Sequence, residues 1–195
     1  MRALDAAAQA DLEEVVSRDV DAVRAILAGL SPAEPVFATC LHYEQDSAEV
    51  VDVAAVYVGV ESDRQRVLAA AVGPVQVFTS VWNPMEYADG ERLPQPNLRD
   101  DATFVAVEER LVAALHEAGI EEPGRLVLNE VARRLTESPA ISPVTGDYLV
   151  FVMDYYFDER LLENLRAAAP PAVAARLREQ GLLPDSIDDL TESTR

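Results

Sequence analysis

Two β-forming segments separated by five polar residues constrain this chain more than any other feature. Residues 36–44 and 50–60 are rich in Val, Thr, Tyr and Phe, the side chains that suit a pleated, half-buried surface. Only Gln45-Asp46-Ser47-Ala48-Glu49 lies between them. A parallel pair needs a crossover of roughly a dozen residues or more, so the spacing predicts an antiparallel hairpin.

Helical periodicity precedes and follows it. Leu12, Val15, Val16, Val23, Ile26 and Leu27 recur at helical spacing with charged residues between them, which predicts a helix over 4–28 stopped by Gly29 and Pro32. After the hairpin, Ser62 is placed to cap a helix through Val72, ended by Gly73-Pro74. Residues 75–82 alternate, with Val75, Val77, Thr79 and Val81 on one side, and read as a third strand. A long irregular stretch over 83–100 follows, with Pro84, Gly90, Pro94 and Pro96. Helices are predicted over 101–118 and 126–135, a strand over 148–156, and helices over 158–169 and 172–180, the last two split by Pro170-Pro171. This order predicts an α+β fold, a mostly antiparallel sheet with helices packed on one face. A single domain is expected over 1–184, with 185–195 an acidic, frayed tail.

Charge bounds the partners. The 195 residues carry 35 Asp and Glu against 16 basic residues, all of them Arg, for a formal net charge of −19. A GC-rich genome and a salt-adapted surface both produce such a composition; the Ala runs at 6–8, 69–71 and 167–169 fit the first. Nucleic acid is not an expected ligand, because phosphate binding needs a basic stripe and the Arg residues are scattered among acids. Anionic membranes are disfavoured for the same reason. A basic protein is the charge-compatible partner. Acidic residues appear by Asp11 and no run of 18 apolar residues occurs, so a cytoplasmic location is the expectation.

Motif absences remove many reaction classes. The chain has no Lys, so a P-loop lysine and a Schiff-base lysine are both excluded. It has no Gly-x-Gly-x-x-Gly, no Gly-x-Ser-x-Gly elbow, and no His-Glu-x-x-His among its two histidines. The lone Cys40 rules out an internal disulfide and a multi-cysteine zinc site. Cys40 shares a strand face with His42, which permits a Cys–His pair; a small core residue is the competing reading. No cofactor and no metal is called for.

Two places remain for a site. Trp82-Asn83-Pro84-Met85-Glu86-Tyr87 stands at the head of the long loop. There Trp82, Glu86 and Tyr87 can anchor a partner, since aromatics bury large area at low entropic cost; alternatively Trp82 plugs the core and Asn83-Pro84 turns the chain. Asp154-Tyr155-Tyr156-Phe157-Asp158-Glu159 stands where an apolar strand meets a helix. Asp154, Tyr156, Asp158 and Glu159 can line a binding or acid/base site; alternatively Asp158 is a helix N-cap and Glu159 faces the positive end of the helix dipole.

The N-terminal helix, the strand Val36-Phe37-Ala38-Thr39-Cys40-Leu41-His42-Tyr43, the Trp-x-Pro-x-Glu-aromatic pattern and a late apolar strand ending in Asp154 resemble a group of uncharacterised bacterial α+β domains. Such domains often occur among the immunity proteins of polymorphic-toxin systems. Tyr87 stands where that group usually has Trp. The resemblance implies a non-enzymatic, protein-binding role, with no catalytic residues to carry over. The expected function is therefore a protein-binding domain, an immunity-type inhibitor of a basic partner; the alternative is a metal- or carboxylate-dependent hydrolase built on Asp154, Asp158 and Glu159.

Overall fold

The computed structural model describes residues 3–43, 53–87, 93, 96, 98–154 and 160–192. The helix α1 spans Ala6–Ala28, capped by Asp5, whose carboxylate accepts from the Ala8 amide at 2.9 Å. Strands β1 (Val36–Tyr43) and β2 (Ala55–Val60) follow, then α2 (Glu61–Ala70) and α3 (Pro74–Val81). Helices α4 (Ala102–Glu117) and α5 (Pro123–Glu137) lead into β3 (Val144–Asp154), and α6 (Leu161–Ala168), α7 (Pro171–Glu179) and α8 (Ile187–Glu192) finish the described chain. The fold is α+β, with helices the larger part.

The three strands form one sheet in the order β2-β1-β3. β2 begins at Ala55, not at residue 50, and the expected linker over 45–49 lies outside the described residues. β1 pairs antiparallel with β2, as expected, but parallel with β3. The sheet is therefore mixed, not mostly antiparallel. Two effects explain the difference. The segment expected to supply a third strand is the helix α3, and the chain between β2 and β3 holds four helices, ample length for a parallel return. All eight residues of β1 are buried, so both faces of the sheet are covered, not one. A central strand closed on both faces reads as a continuous apolar run, which is what Val36-Phe37-Ala38-Thr39-Cys40-Leu41 shows.

α3 contradicts the alternation that suggested a strand. Pro74 occupies its first turn and Gly73 enters it at φ 92°, a left-handed conformation that glycine adopts without strain. Over eight residues, Phe78 and Val81 lie buried at helical spacing while Val75 and Gln76 face out. The same run satisfies a period of 2 and of 3.6, and the proline decides. The start of α2 also differs in detail. Its helix begins at Glu61, and Asp63 accepts from the Val60 amide at 3.3 Å. Ser62 instead gives its amide and hydroxyl to Glu34, at 2.8 and 2.7 Å.

Register slips at the head of the sheet. Val36 pairs with Val144 and Ala38 with Leu149, so β3 runs five residues against two of β1. Residues 145–148 bow out of the ladder and carry Asp147 toward α2. On the other side, Val36 and Ala38 face Val60 and Gly59. The bulge lays the Phe37 ring over Gly59, where a Cβ would stand 2.7 Å from its edge.

At the outer edge of β3, helices replace a fourth strand. α5, α6 and α7 pack against β3. Thr136 Oγ1 accepts from the Val150 amide at 2.9 Å, and Asn164 Nδ2 donates to the Val152 carbonyl at 3.2 Å. Side chains from two helices thus occupy ladder positions that would otherwise be open. Beyond α7, Leu182 and Leu183 are buried, and α8 reaches α3 with Leu190 buried as well. Part of the segment from 185, read from sequence as a tail, is thus a helix held by an apolar contact.

Candidate functional site

The first sequence-derived site turns inward. Trp82 ends α3 and is fully buried; its indole N–H donates to the Leu182 carbonyl at 2.8 Å. Its ring meets Phe151 edge-on at 5.3 Å and Phe37 at 6.4 Å. Tyr87 is buried against Phe37 at 5.5 Å, and its hydroxyl donates to the Val81 carbonyl at 3.1 Å. Asn83 caps a 3₁₀ turn over Pro84–Glu86, accepting from the Met85 amide at 3.1 Å. The six-residue pattern is an aromatic plug with a capped turn. Only Met85 and Glu86 of it are exposed, and the Glu86 carbonyl is engaged by Arg66. The two aromatics offer no surface to a partner here.

The second site is split. Asp154 ends β3 and is buried, while Tyr156, Asp158 and Glu159 lie outside the described residues. Cys40 and His42 are both buried within β1. Burial pushes the Cys40 thiol well above its ordinary pKa, so it is held as a thiol and not a thiolate. The His42 ring meets Tyr57 edge-on at 5.6 Å. No group of three His, Cys, Asp or Glu among the described residues is placed to hold a metal ion, and no described helix is long and apolar enough to cross a membrane.

A groove that the sequence reading did not single out lies between α1, α5, α6 and the turn at 119–122. Its volume is about 740 Å³, within the range of roughly 300–1,000 Å³ typical of binding sites. α5 explains how it forms. Val127, Leu128, Val131, Ala132 and Leu135 bury one face of that helix, leaving Arg125, Asn129, Glu130 and Arg134 along the groove. α1 adds Leu12 and Glu13, the turn adds Ile120 and Glu121, and α6 adds Glu163 and Ala167.

Paired charges hold the walls in place. Arg134 donates to both carboxylate oxygens of Glu13, at 2.8 and 2.5 Å, fastening α5 to α1. Those bonds, with one from Ser17, draw the Glu13 carboxyl down to about 2. Glu130 is held below the usual carboxylate range by Arg133 and Arg134, against the opposing effect of burial. Glu122 is shared by Arg125 at 2.8 Å and Arg160 at 3.1 Å. Beneath them Asn164, fully buried, accepts from Arg125 and from Asn129 Nδ2, each at 3.0 Å. The Oδ1 atom of Asn129 is closed off from solvent and has no hydrogen-bond partner.

The described lining contains no Ser, Thr, Cys, His or Tyr. What it offers is carboxylates, guanidinium groups and an amide beside an apolar floor. Sequence carried half the signal. The Glu130, Arg133, Arg134 and Glu137 spacing announces a charged helix face, but the convergence of Glu13 and Glu163 on it is tertiary. Comparison with protein-family models, with curated proteins and with solved structures finds no match.

Proposed function

We propose that this chain is a non-catalytic protein-binding domain, of the immunity type, that docks on a basic protein. The observation that carries the reading is how its arginines are used. Every arginine among the described residues is engaged by a carboxylate or a main-chain carbonyl. Arg64, Arg110, Arg125, Arg133 and Arg134 pair with acids at 2.9 Å or less. Arg18, Arg24, Arg66, Arg99, Arg160 and Arg178 pair with others, and Arg166 and Arg176 bond the carbonyls of Pro184 and Gly146.

Basic charge is thus committed internally, and the −19 balance is left as surplus carboxylate. Such a field steers a cationic protein toward the surface and repels polyanions. Of the carboxylates behind the hydrolase alternative, Asp154 is buried at the end of β3, and Asp158 and Glu159 lie outside the described residues. A pull-down against the product of the neighbouring gene, at low and at high salt, tests the proposal. Capture that weakens as salt rises is expected. No capture, or capture indifferent to salt, overturns it.

A further inference from the structure

Building on that reading, we infer that the groove between α1, α5 and α6 is the docking point and that it receives a single arginine or lysine side chain of the basic partner. Three observations converge. The lining carries five glutamates against three arginines, so its balance favours a cation. The arginines are each held by carboxylates already, which offsets the charge an incoming anion would be drawn to. One acceptor is not committed in this way: the exposed Glu121 has no ion pair among the described residues.

The shape fits the same occupant. Leu12, Ile120, Leu126 and Ala167 supply an apolar stretch of the lining, and Leu126 is 36% exposed despite being a large apolar residue. Long basic side chains combine an aliphatic stem with a charged head, and they cover apolar surface while the head reaches polar groups. A guanidinium or ammonium head at Glu121 would make charge-assisted hydrogen bonds, stronger than neutral ones. The paired walls keep the groove open before the partner arrives, which lowers the ordering cost of binding.

Hexa-arginine is the probe, with hexa-glutamate as its control. Amide chemical-shift mapping on the intact chain reads where it binds, and titration reads how strongly. Shifts are expected to concentrate at Leu12, Glu121, Asn129 and Ala167. Ala167→Trp fills the groove from an exposed position and is expected to weaken binding about tenfold. Glu121→Gln is expected to weaken it by a smaller factor, while Glu179→Gln, an equal loss of charge outside the groove, leaves it unchanged. Circular dichroism confirms that each variant is folded. Shifts spread over the whole acidic surface, with Ala167→Trp binding as the parent does, overturn the groove assignment alone. So does capture of the neighbouring gene product by a chain that ignores hexa-arginine. Failure of both ligands to bind at low salt overturns the broader reading as well.

Discussion

Arg64 Nη1 donates to Asp147 Oδ2 at 2.6 Å, and the pair is buried between α2 and the out-of-register stretch of β3. Arg64 also reaches Glu61 at 2.6 Å and lies over the Phe37 ring at 5.3 Å. One side chain thus ties a helix, a strand bow and the sheet bulge together. Removing Arg64 leaves the buried Asp147 carboxylate uncompensated, at a cost of about 3 kcal/mol, whereas removing Asp147 leaves Arg64 still paired with Glu61. Arg64→Met is expected to lower the unfolding free energy by that order and Asp147→Asn by less, both read from urea unfolding. The double variant Arg64→Met, Asp147→Leu is expected to cost less than the sum of its parts. Simple additivity would show that the pair does not act as a unit.

The pH dependence follows from several depressed carboxylates, Glu130 among them. Hydrogen bonds from Arg134 and Ser17 draw Glu13 down to about 2. Bonds from Thr103 and Arg18 hold Asp101 well below the usual carboxylate range. At Asp147 burial pushes upward, and the neighbouring Thr145 and the Arg64 guanidinium override it to leave the group lowered. A depressed folded pKa means that the unfolded chain binds the proton more readily. The stability from these groups is complete above the unfolded values, about 4, and is lost as pH falls through the folded ones. Protonation also relieves the repulsion of the −19 charge. The urea midpoint is therefore expected to hold or rise from pH 7 to about 5 and to fall below about 4. A midpoint still rising below 4 would mean that charge repulsion outweighs the paired acids.

Gly59 admits no side chain. An added Cβ would stand 2.7 Å from Phe37 Cε1 and 3.0 Å from Tyr87 Cε2, and both rings are buried and braced by neighbours. Gly59→Ala is expected to destabilise by about 1–3 kcal/mol, the range for overpacked cores. Thermal unfolding checks it, and an unchanged midpoint would show that the bulge can relax.

The sole tryptophan is a ready probe. Trp82 is 0% exposed, so native emission is expected to be blue-shifted, insensitive to iodide, and red-shifted on unfolding. Trp82→Phe removes the donor to the Leu182 carbonyl, which leaves a buried acceptor unpaired at about 1–3 kcal/mol. Iodide quenching of the folded chain would contradict the inward placement.

What sequence revealed here, and what it hid, divides by range. α1, α4 and α5 were legible because Val15, Val16, Val23, Phe104, Leu111, Val127 and Leu135 repeat over three or more turns. The antiparallel pairing of β1 and β2 was legible from the closeness of two β-forming segments, although β2 begins five residues later than expected. α3 was not, since eight residues fit either period and the Val75-Val77-Thr79-Val81 alternation masked Phe78 and Val81. The parallel partnership of β1 and β3 lies more than 100 residues apart in register, Thr39 with Val150, and no local pattern encodes it. The groove was hidden for the same reason, because Glu13 and Arg134 are 121 residues apart. The aromatic pattern at 82–87 was visible, but Leu182, which receives the Trp82 N–H, was not.

One threonine of α5 closes the edge of the sheet. Thr136 Oγ1 donates to the Ala132 carbonyl at 2.9 Å within α5 and accepts from the Val150 amide at 2.9 Å. One hydroxyl therefore satisfies a helix carbonyl and a strand amide together. Thr136 is buried, and Val150 is fully so, so no solvent stands ready to replace it. Thr136→Val keeps the volume and removes the hydroxyl, stranding the Val150 N–H at a cost of about 1–3 kcal/mol. Thr136→Ser keeps the hydroxyl and loses one buried methyl, about 1 kcal/mol. The ordering separates hydrogen bonding from packing: Thr136→Val is expected to be the worse of the two, although it is the closer match in shape. Amide hydrogen exchange supplies a second readout. In Thr136→Val the Val150 amide is expected to exchange faster relative to its neighbours in β3. Equal protection in both variants would show that the edge of β3 is held by the packing of α5 and α6, and not by this bond.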